Sequence, residues 1–347
     1  MQPPRGKENR WVAAQARAAR TVGRGAGARW NGWTGWAVWV IPAVFLIPLL
    51  GATAGVPQAD TAWERAMTAG STAYREGRLA EAEDYLEEAL REAEQFEPGD
   101  PRLGHSLTRL GTVYTAQGKY AAAEPVYQRA LALAEQIFGP DHPTVAERLH
   151  NLGGLYYAQG WHAAARPLLE RVVALDERAL GPNHPAVATS VHNLAEVYRA
   201  QEQYAAAESL HARALAIRVQ TLGHEHPQVA TSVHNLAEVY RAQGQQPAAE
   251  SLHQWALTIR EHALGSDHPH VAMSLTSLAR LYVAQGEYAT AEPLYTRALA
   301  IFEQALGPEN PAVAQSLNNL AALYRLTDRV TRADELDERA ARIRARQ

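Results

Sequence analysis

The chain has 347 residues, 47% of them apolar, no cysteine and a formal net charge of −4. That apolar fraction excludes wholesale disorder, and the missing cysteines exclude disulfides, thiolate metal sites and cysteine nucleophiles. Residues 1–35 carry seven basic residues against Glu8, or +6, which leaves −10 on the remainder and excludes a phosphate-rich nucleic-acid surface on the body of the chain.

In chain order, residues 1–35 read as a basic, disordered leader with Arg5, Lys7, Arg10, Arg17, Arg20, Arg24 and Arg29. Residues 36–59 follow without a charged group, opening on the apolar run WAVWVIPAVFLIPLL over 36–50. A basic flank before an apolar run is the layout of a signal peptide or signal anchor. Trp30, Trp33, Trp36 and Trp39 stand three apart at its start, as amphipathic rings do at a bilayer surface. The flank is long for a cleaved signal, whereas the small residues from Ala52 to Ala59 would allow cleavage. Pro42 and Pro48 weaken a regular helix, although membrane segments tolerate proline. The positive-inside rule then places the rest of the chain outside the cytoplasm, in the periplasm of a bacterium, tethered through residues 36–56 if uncleaved.

From residue 60 onward the chain is periodic. Proline recurs at 101, 143, 185, 227, 269 and 311, leucine at 110, 152, 194, 236, 278 and 320, and tyrosine at 114, 156, 198, 240, 282 and 324. Each series steps by 42 residues, and a slightly shorter copy begins near Thr61. Seven units result, near 61–98, 101–139, 143–181, 185–223, 227–265, 269–307 and 311–346. Each predicts two helices. The proline opens the first, where its missing N–H costs nothing. Val187, Val191, Leu194 and Tyr198 then recur on one helical face. Gly118, Gly160, Gly244 and Gly286 suit a left-handed turn, and a second helix runs from about Tyr204 to Leu222 before Gly223. Gly111, Gly153, Ala195, Ala237, Ala279 and Ala321 form one column of small residues where helices must cross closely. Ala123, Ala165, Ala207, Ala249, Ala291 and Ala333 form another. The final helix, from Thr331, keeps only Ala333, Leu336, Ala340 and Ile343 as an apolar stripe, as a terminal repeat requires.

The string LGTVYTAQGKYAAA at 110–123, with the 42-residue period and the linker G-P-D/N-H-P-x-V-A, resembles the tetratricopeptide repeat of the kinesin-light-chain type. The resemblance covers residues 61–347. It implies an all-α fold, a right-handed α-solenoid of about seven helix pairs preceded by the membrane-signal segment, with a groove lined by first helices. It does not bring the motor function, because a membrane signal stands where those light chains carry a heptad-bearing segment.

The same resemblance places first-helix residues around the repeated leucine in the groove. The peptide-binding candidates are His150, Asn151 and Tyr157; His192, Asn193, Glu196 and Arg199; His234, Asn235, Glu238 and Arg241; and Asn318, Asn319 and Arg325. Asparagine can pair with any peptide backbone, and arginine offers a planar fork for carboxylates. Two plainer roles stay open: asparagines that tie neighbouring helices, and Arg199 and Arg241 pairing with Glu196 and Glu238. Lys119 is the one lysine of the repeats, so a lysine clamp on a C-terminal carboxylate is not supported. VATSVHNLAEVYRAQ occurs at both 187–201 and 229–243, which suits an extended ligand or reflects duplication alone.

Fourteen histidines invite a metal reading. His142, His184, His226 and His268 precede the opening prolines, and His150, His192 and His234 sit mid-helix, so both series form ladders rather than converging ligand sets. No nucleophile elbow, P-loop or dinucleotide fingerprint is present. No catalytic residue, metal site or cofactor is therefore expected. The function expected is a protein or peptide adaptor, with a self-associating assembly part as the alternative and a metal-dependent enzyme a remote third. The oligomeric state is open.

Overall fold

The structure is a computed structural model that describes residues 61–346. The leader and the signal or anchor segment over residues 1–59 lie outside the described residues. Among the described residues the chain is all-α, with fourteen helices. They are α1 (Ala62–Arg75), α2 (Leu79–Ala93), α3 (Pro101–Ala116), α4 (Tyr120–Phe138), α5 (Pro143–Ala158), α6 (His162–Leu180) and α7 (Pro185–Ala200). There follow α8 (Tyr204–Leu222), α9 (Pro227–Ala242), α10 (Gln246–Leu264), α11 (Pro269–Gln285), α12 (Tyr288–Leu306), α13 (Pro311–Leu326) and α14 (Val330–Arg344). They make seven helix pairs and fall into two compact units, residues 61–210 and 211–346. No described helix is long and apolar enough to cross a membrane.

Why each first helix starts where it does is visible in its cap. The residue before the proline accepts a hydrogen bond from the backbone N–H two residues on. His142 Nδ1 accepts from Thr144 at 3.2 Å, His184 from Ala186 at 3.2 Å, His226 from Gln228 at 3.1 Å and His268 from His270 at 3.1 Å. Asp100 and Asn310 do the same for α3 and α13, both at 2.9 Å. The histidine ladder is thus a ladder of N-caps, each satisfying one of the orphan donors of a helix start.

Within a pair the two helices approach closely because one of them carries almost no side chain at the crossing. A methyl built on Gly111 would lie 2.7 Å from Cε1 of Tyr127, and one on Gly153 would lie 3.0 Å from Cδ2 of Leu169. Ala123, Ala165, Ala207, Ala249, Ala291 and Ala333 are all fully buried. The first repeat is offset by 41 residues rather than 42. Gly70 faces Leu86 as Gly111 faces Tyr127, and Ala73 accepts from the turn as Tyr114 does in the next repeat.

Neighbouring pairs are joined by polar contacts as well as by the core. Tyr114 donates to Glu87 at 2.9 Å, Tyr156 to Glu124 at 2.9 Å and Tyr282 to Glu250 at 2.8 Å, each reaching the second helix of the preceding repeat. Second helices are also linked to each other, by Arg129–Glu94 and Arg171–Glu135 in the first unit and by Arg297–Glu261 and Arg339–Glu303 in the second. These pairs are partly solvated, so each contributes little alone. Their spacing keeps the register of the stack. On α14, Ala333, Ala340 and Ile343 are buried, while Arg342 and Arg344 occupy its last turn against the negative end of the helix dipole.

The turn inside each pair needs a left-handed residue. Glycine supplies it at 118, 160, 244 and 286, but Glu202 and Asp328 take it with φ 59°. A β-carbon in that region costs about 1–2 kcal/mol, less for aspartate than for glutamate. Glu202→Gly is expected to stabilise the chain by about 1 kcal/mol, read as a higher urea midpoint. His268→Ala is expected to lose about 1 kcal/mol through the lost cap, while His268→Asn, the residue type found at position 310, keeps it. Equal urea midpoints for the two His268 variants would overturn the capping role.

Candidate functional site

In the first unit, α5 and α7 present the candidate residues one repeat apart. Burial pulls the imidazole of His150 down to about 4, so it is neutral at physiological pH. Asn193 Nδ2 lies 3.5 Å from His150 Nδ1, and Asn193 is only 3% exposed. That asparagine ties α5 to α7. That contact is the helix-tying role that stood open beside peptide binding for this asparagine. His192 is likewise buried, 8% exposed. Asn151 is half-buried beside them.

Further along the same face, Glu196 and Arg199 form a forked pair. Arg199 donates from Nη2 at 2.6 Å and from Nε at 3.1 Å to one oxygen of Glu196. The pair is an i,i+3 contact, with Arg199 33% and Glu196 13% exposed. Tyr157 lies against it, its ring 5.2 Å from that of His162. Burial pushes the Tyr157 phenol up and the Glu196 charge adds to this, while Arg199 opposes both. The lone lysine of the repeats, Lys119, is held by Glu83 at 2.6 Å.

In the second unit the pattern recurs on α9. Arg241 donates to Glu238 at 2.8 and 3.0 Å. The second helix of the pair contributes a residue that the sequence reading did not select. His253 of α10 is fully buried, its Nε2 3.3 Å from Oε1 of Glu238 and its ring 5.2 Å from that of His234. Its position in the register, opposite the small residue Ala237, was the available signal. Asn235 is half-buried on the same face. Burial alone would raise the carboxyl of Glu238, but His253, Arg241 and His234 overcome this and hold it well below the usual carboxylate range.

At the end of the second unit the candidates diverge. Asn319 accepts from Gln315 at 3.3 Å, and Asn318 is half-buried on the next position. Arg325 reaches α14 instead, pairing with Asp334 at 3.0 Å and Asp337 at 2.5 Å. These contacts close the last helix pair, with Arg325 itself still 46% exposed.

Because the folded-state pKa of Glu238 lies below its ordinary 4.5, its contribution is complete above that value and is lost as pH falls towards the folded value. Glu238→Gln is therefore expected to lower stability at pH 7 and to flatten the decline in melting temperature below about pH 4.5. An unchanged acid limb in the variant would contradict the coupling of Glu238 to His253, Arg241 and His234.

Comparison with known proteins places this geometry in a family. The tetratricopeptide repeat model matches residues 64–136, 105–178, 149–218, 186–262, 256–304 and 270–346. No curated protein sequence matches the chain. Among solved structures, a Podosopora anserina protein with nearly identical TPR-like repeats of kinesin-light-chain type is 32% identical, with 61% of this chain and 99% of that chain covered and a TM-score of 0.53. BtubC (BKLC) from P. vanneervenii is 25% identical over 72% of this chain and 94% of that chain, with a TM-score of 0.55. A Rap protein complexed with Competence and Sporulation Factor shares the fold at 15% identity, over 82% of this chain and 75% of that chain, with a TM-score of 0.56. The chain belongs to the tetratricopeptide repeat family, and its structural neighbours include kinesin-light-chain-like repeat proteins.

Proposed function

We propose that the chain is an interaction scaffold that holds a peptide or partner protein on the first-helix faces of its repeats. The observation that carries this is the recurrence of one polar constellation in each unit: His192, Glu196 and Arg199 on α7, and His234, Glu238 and Arg241 on α9. In both, the arginine is bound to the glutamate through the same two nitrogens and remains about one-third exposed, so it can exchange that partner for a ligand carboxylate or carbonyl. The half-buried Asn151, Asn235, Asn318 and Asn319 add amide groups that suit a peptide backbone. The Rap neighbour supports the reading at the level of fold, since a protein of this fold is complexed with a bound factor.

The same reading places the repeats outside the cytoplasm, exported or anchored through residues 36–59, on the strength of the basic flank and apolar run alone. Catalysis forms no part of it.

The test is capture of partners by the immobilised full chain, wild type beside an Arg199→Ala, Arg241→Ala double variant of matched helicity. A partner held by the wild type and at least tenfold weaker on the variant is expected, as for loss of charge-assisted hydrogen bonds. Equal capture by both would move the binding surface to the second helices or the termini.

A further inference from the structure

One position in the repeat breaks its own register. The third residue after the opening proline's second neighbour is a buried serine in five repeats, Ser106, Ser190, Ser232, Ser274 and Ser316, but in the third repeat it is Arg148, only 6% exposed. The serines have local partners: Ser106 donates to the carbonyl of Arg102 at 3.0 Å and Ser316 to that of Ala312 at 3.0 Å. Fourteen residues earlier, on the second helix of the preceding repeat, stands the side chain that faces this position. Arg218 donates to Ser232 at 2.6 Å and Arg260 to Ser274 at 2.7 Å, and Asp176 accepts from Ser190. For Arg148 the corresponding residue is Ala134, which has no polar side-chain atom to offer.

The guanidinium is therefore buried without the partner that its register supplies elsewhere. Its Nε and Nη1 make no hydrogen bond. Glu147 stands beside it, Oε1 at 2.8 Å from Nη1 in a geometry that forms no hydrogen bond, with the Glu147 side chain itself 52% exposed. A buried cation left in this state is costly, so a site of this kind favours an anion with oxygens to accept from the planar fork.

Beside the guanidinium lies a cavity of about 190 Å³ between α3, α4 and α5, walled by Leu133, Ala134, Ile137 and Phe138 as well as by Arg148 and Gly104. Gly104 is a second break in register, since Ala146, Ala188, Ala230, Ala272 and Ala314 stand there in the later repeats. A methyl at Gly104 would enter this space in ordinary contact with Leu133, at 3.6 Å from its Cδ2. Two substitutions, one removing bulk and one adding a charge, thus open on the same pocket, which His105, Thr144 and Glu147 also line. Its size is below the roughly 300–1,000 Å³ of sites for drug-sized ligands.

We infer that this pocket is a binding site for a small monocarboxylic acid with a short aliphatic or aromatic body, its carboxylate on Arg148 and its apolar part against Leu133 and Ile137. His105 completes the rim. Glu147 moves away from the guanidinium as the ligand carboxylate takes its place. None of the peptide-facing candidates lines this pocket, so it is separate from the scaffold role.

The test is calorimetric titration of the full chain with 3-methylbutanoate and benzoate, beside the neutral 3-methylbutanamide and benzamide. The acids are expected to bind at one site and the amides at least tenfold more weakly, as for loss of a charge-assisted pair. Arg148→Ser restores the residue that the other repeats carry and so keeps the fold, which circular dichroism checks. It is expected to remove acid binding, and Gly104→Ala to weaken it by filling the pocket. No binding of the acids to the wild type, equal binding of acids and amides, or unchanged binding by Arg148→Ser would overturn the proposal. So would Arg148-dependent binding of an acidic peptide when neither free acid binds, because the occupant would then be a chain and not a small acid.

Discussion

The crossing of the two helices inside each repeat is the constraint on which the remaining structure depends. Gly111 under Tyr127 and Gly153 under Leu169 bring two backbones close enough that a large side chain from one helix caps the bare surface of the other. Overpacking such a contact costs about 1–3 kcal/mol. Once the crossing is set, every other position of the 42-residue unit has a defined direction: towards its own partner helix, the next repeat, or solvent. The Tyr–Glu bonds and the Arg–Glu ladder between second helices follow from those directions, because each joins positions that the crossing has already brought opposite one another. A helix pair of this kind cannot bury its apolar face alone, so stability comes from stacking.

The polar residues obey the same geometry with less tolerance. The buried serine of the first helix and the residue fourteen positions before it form a matched couple in three repeats, as Asp176 with Ser190, Arg218 with Ser232 and Arg260 with Ser274. The serine is constant in all three and serves either partner, donating to Asp176 and accepting from Arg218 and Arg260. At Ala134 and Arg148 both members differ from those couples and no longer match, and the mismatch coincides with the missing methyl of Gly104. Two neighbouring repeats that each depart from their siblings around one cavity are where a repetitive fold becomes individual. By contrast, Glu196 with Arg199 and Glu238 with Arg241 show what repetition preserves, a polar constellation copied with its hydrogen bonds intact.

Much of this was legible from the residues alone. The helix starts were marked by proline and the turns by glycine, because each answers to a local backbone requirement that does not depend on the neighbours. The exceptions are not local: Glu202 and Asp328 hold the left-handed turn position without being glycine, so the conformation there is imposed by the packing of the two helices that the turn joins. The histidine ladder was visible as a pattern but not as a function, since a histidine N-cap is uncommon beside serine, threonine, aspartate and asparagine. Only the Nδ1 contacts to the backbone reveal that it belongs with Asp100 and Asn310.

The sequence by itself determined the helices, their pairing and the family, because a strict period repeats the same local free-energy choices seven times and leaves one consistent packing. Tertiary structure alone decided which partner each polar side chain meets. Asn193 and Arg325 were equivalent to their neighbours by position, yet the first is buried against His150 and the second is held by Asp334 and Asp337. Likewise, nothing about Arg148 in isolation shows that the residue opposite is Ala134. Periodicity assigns a side chain its direction, whereas its hydrogen-bonding fate depends on the one residue it meets, and that meeting exists only once the helices have crossed.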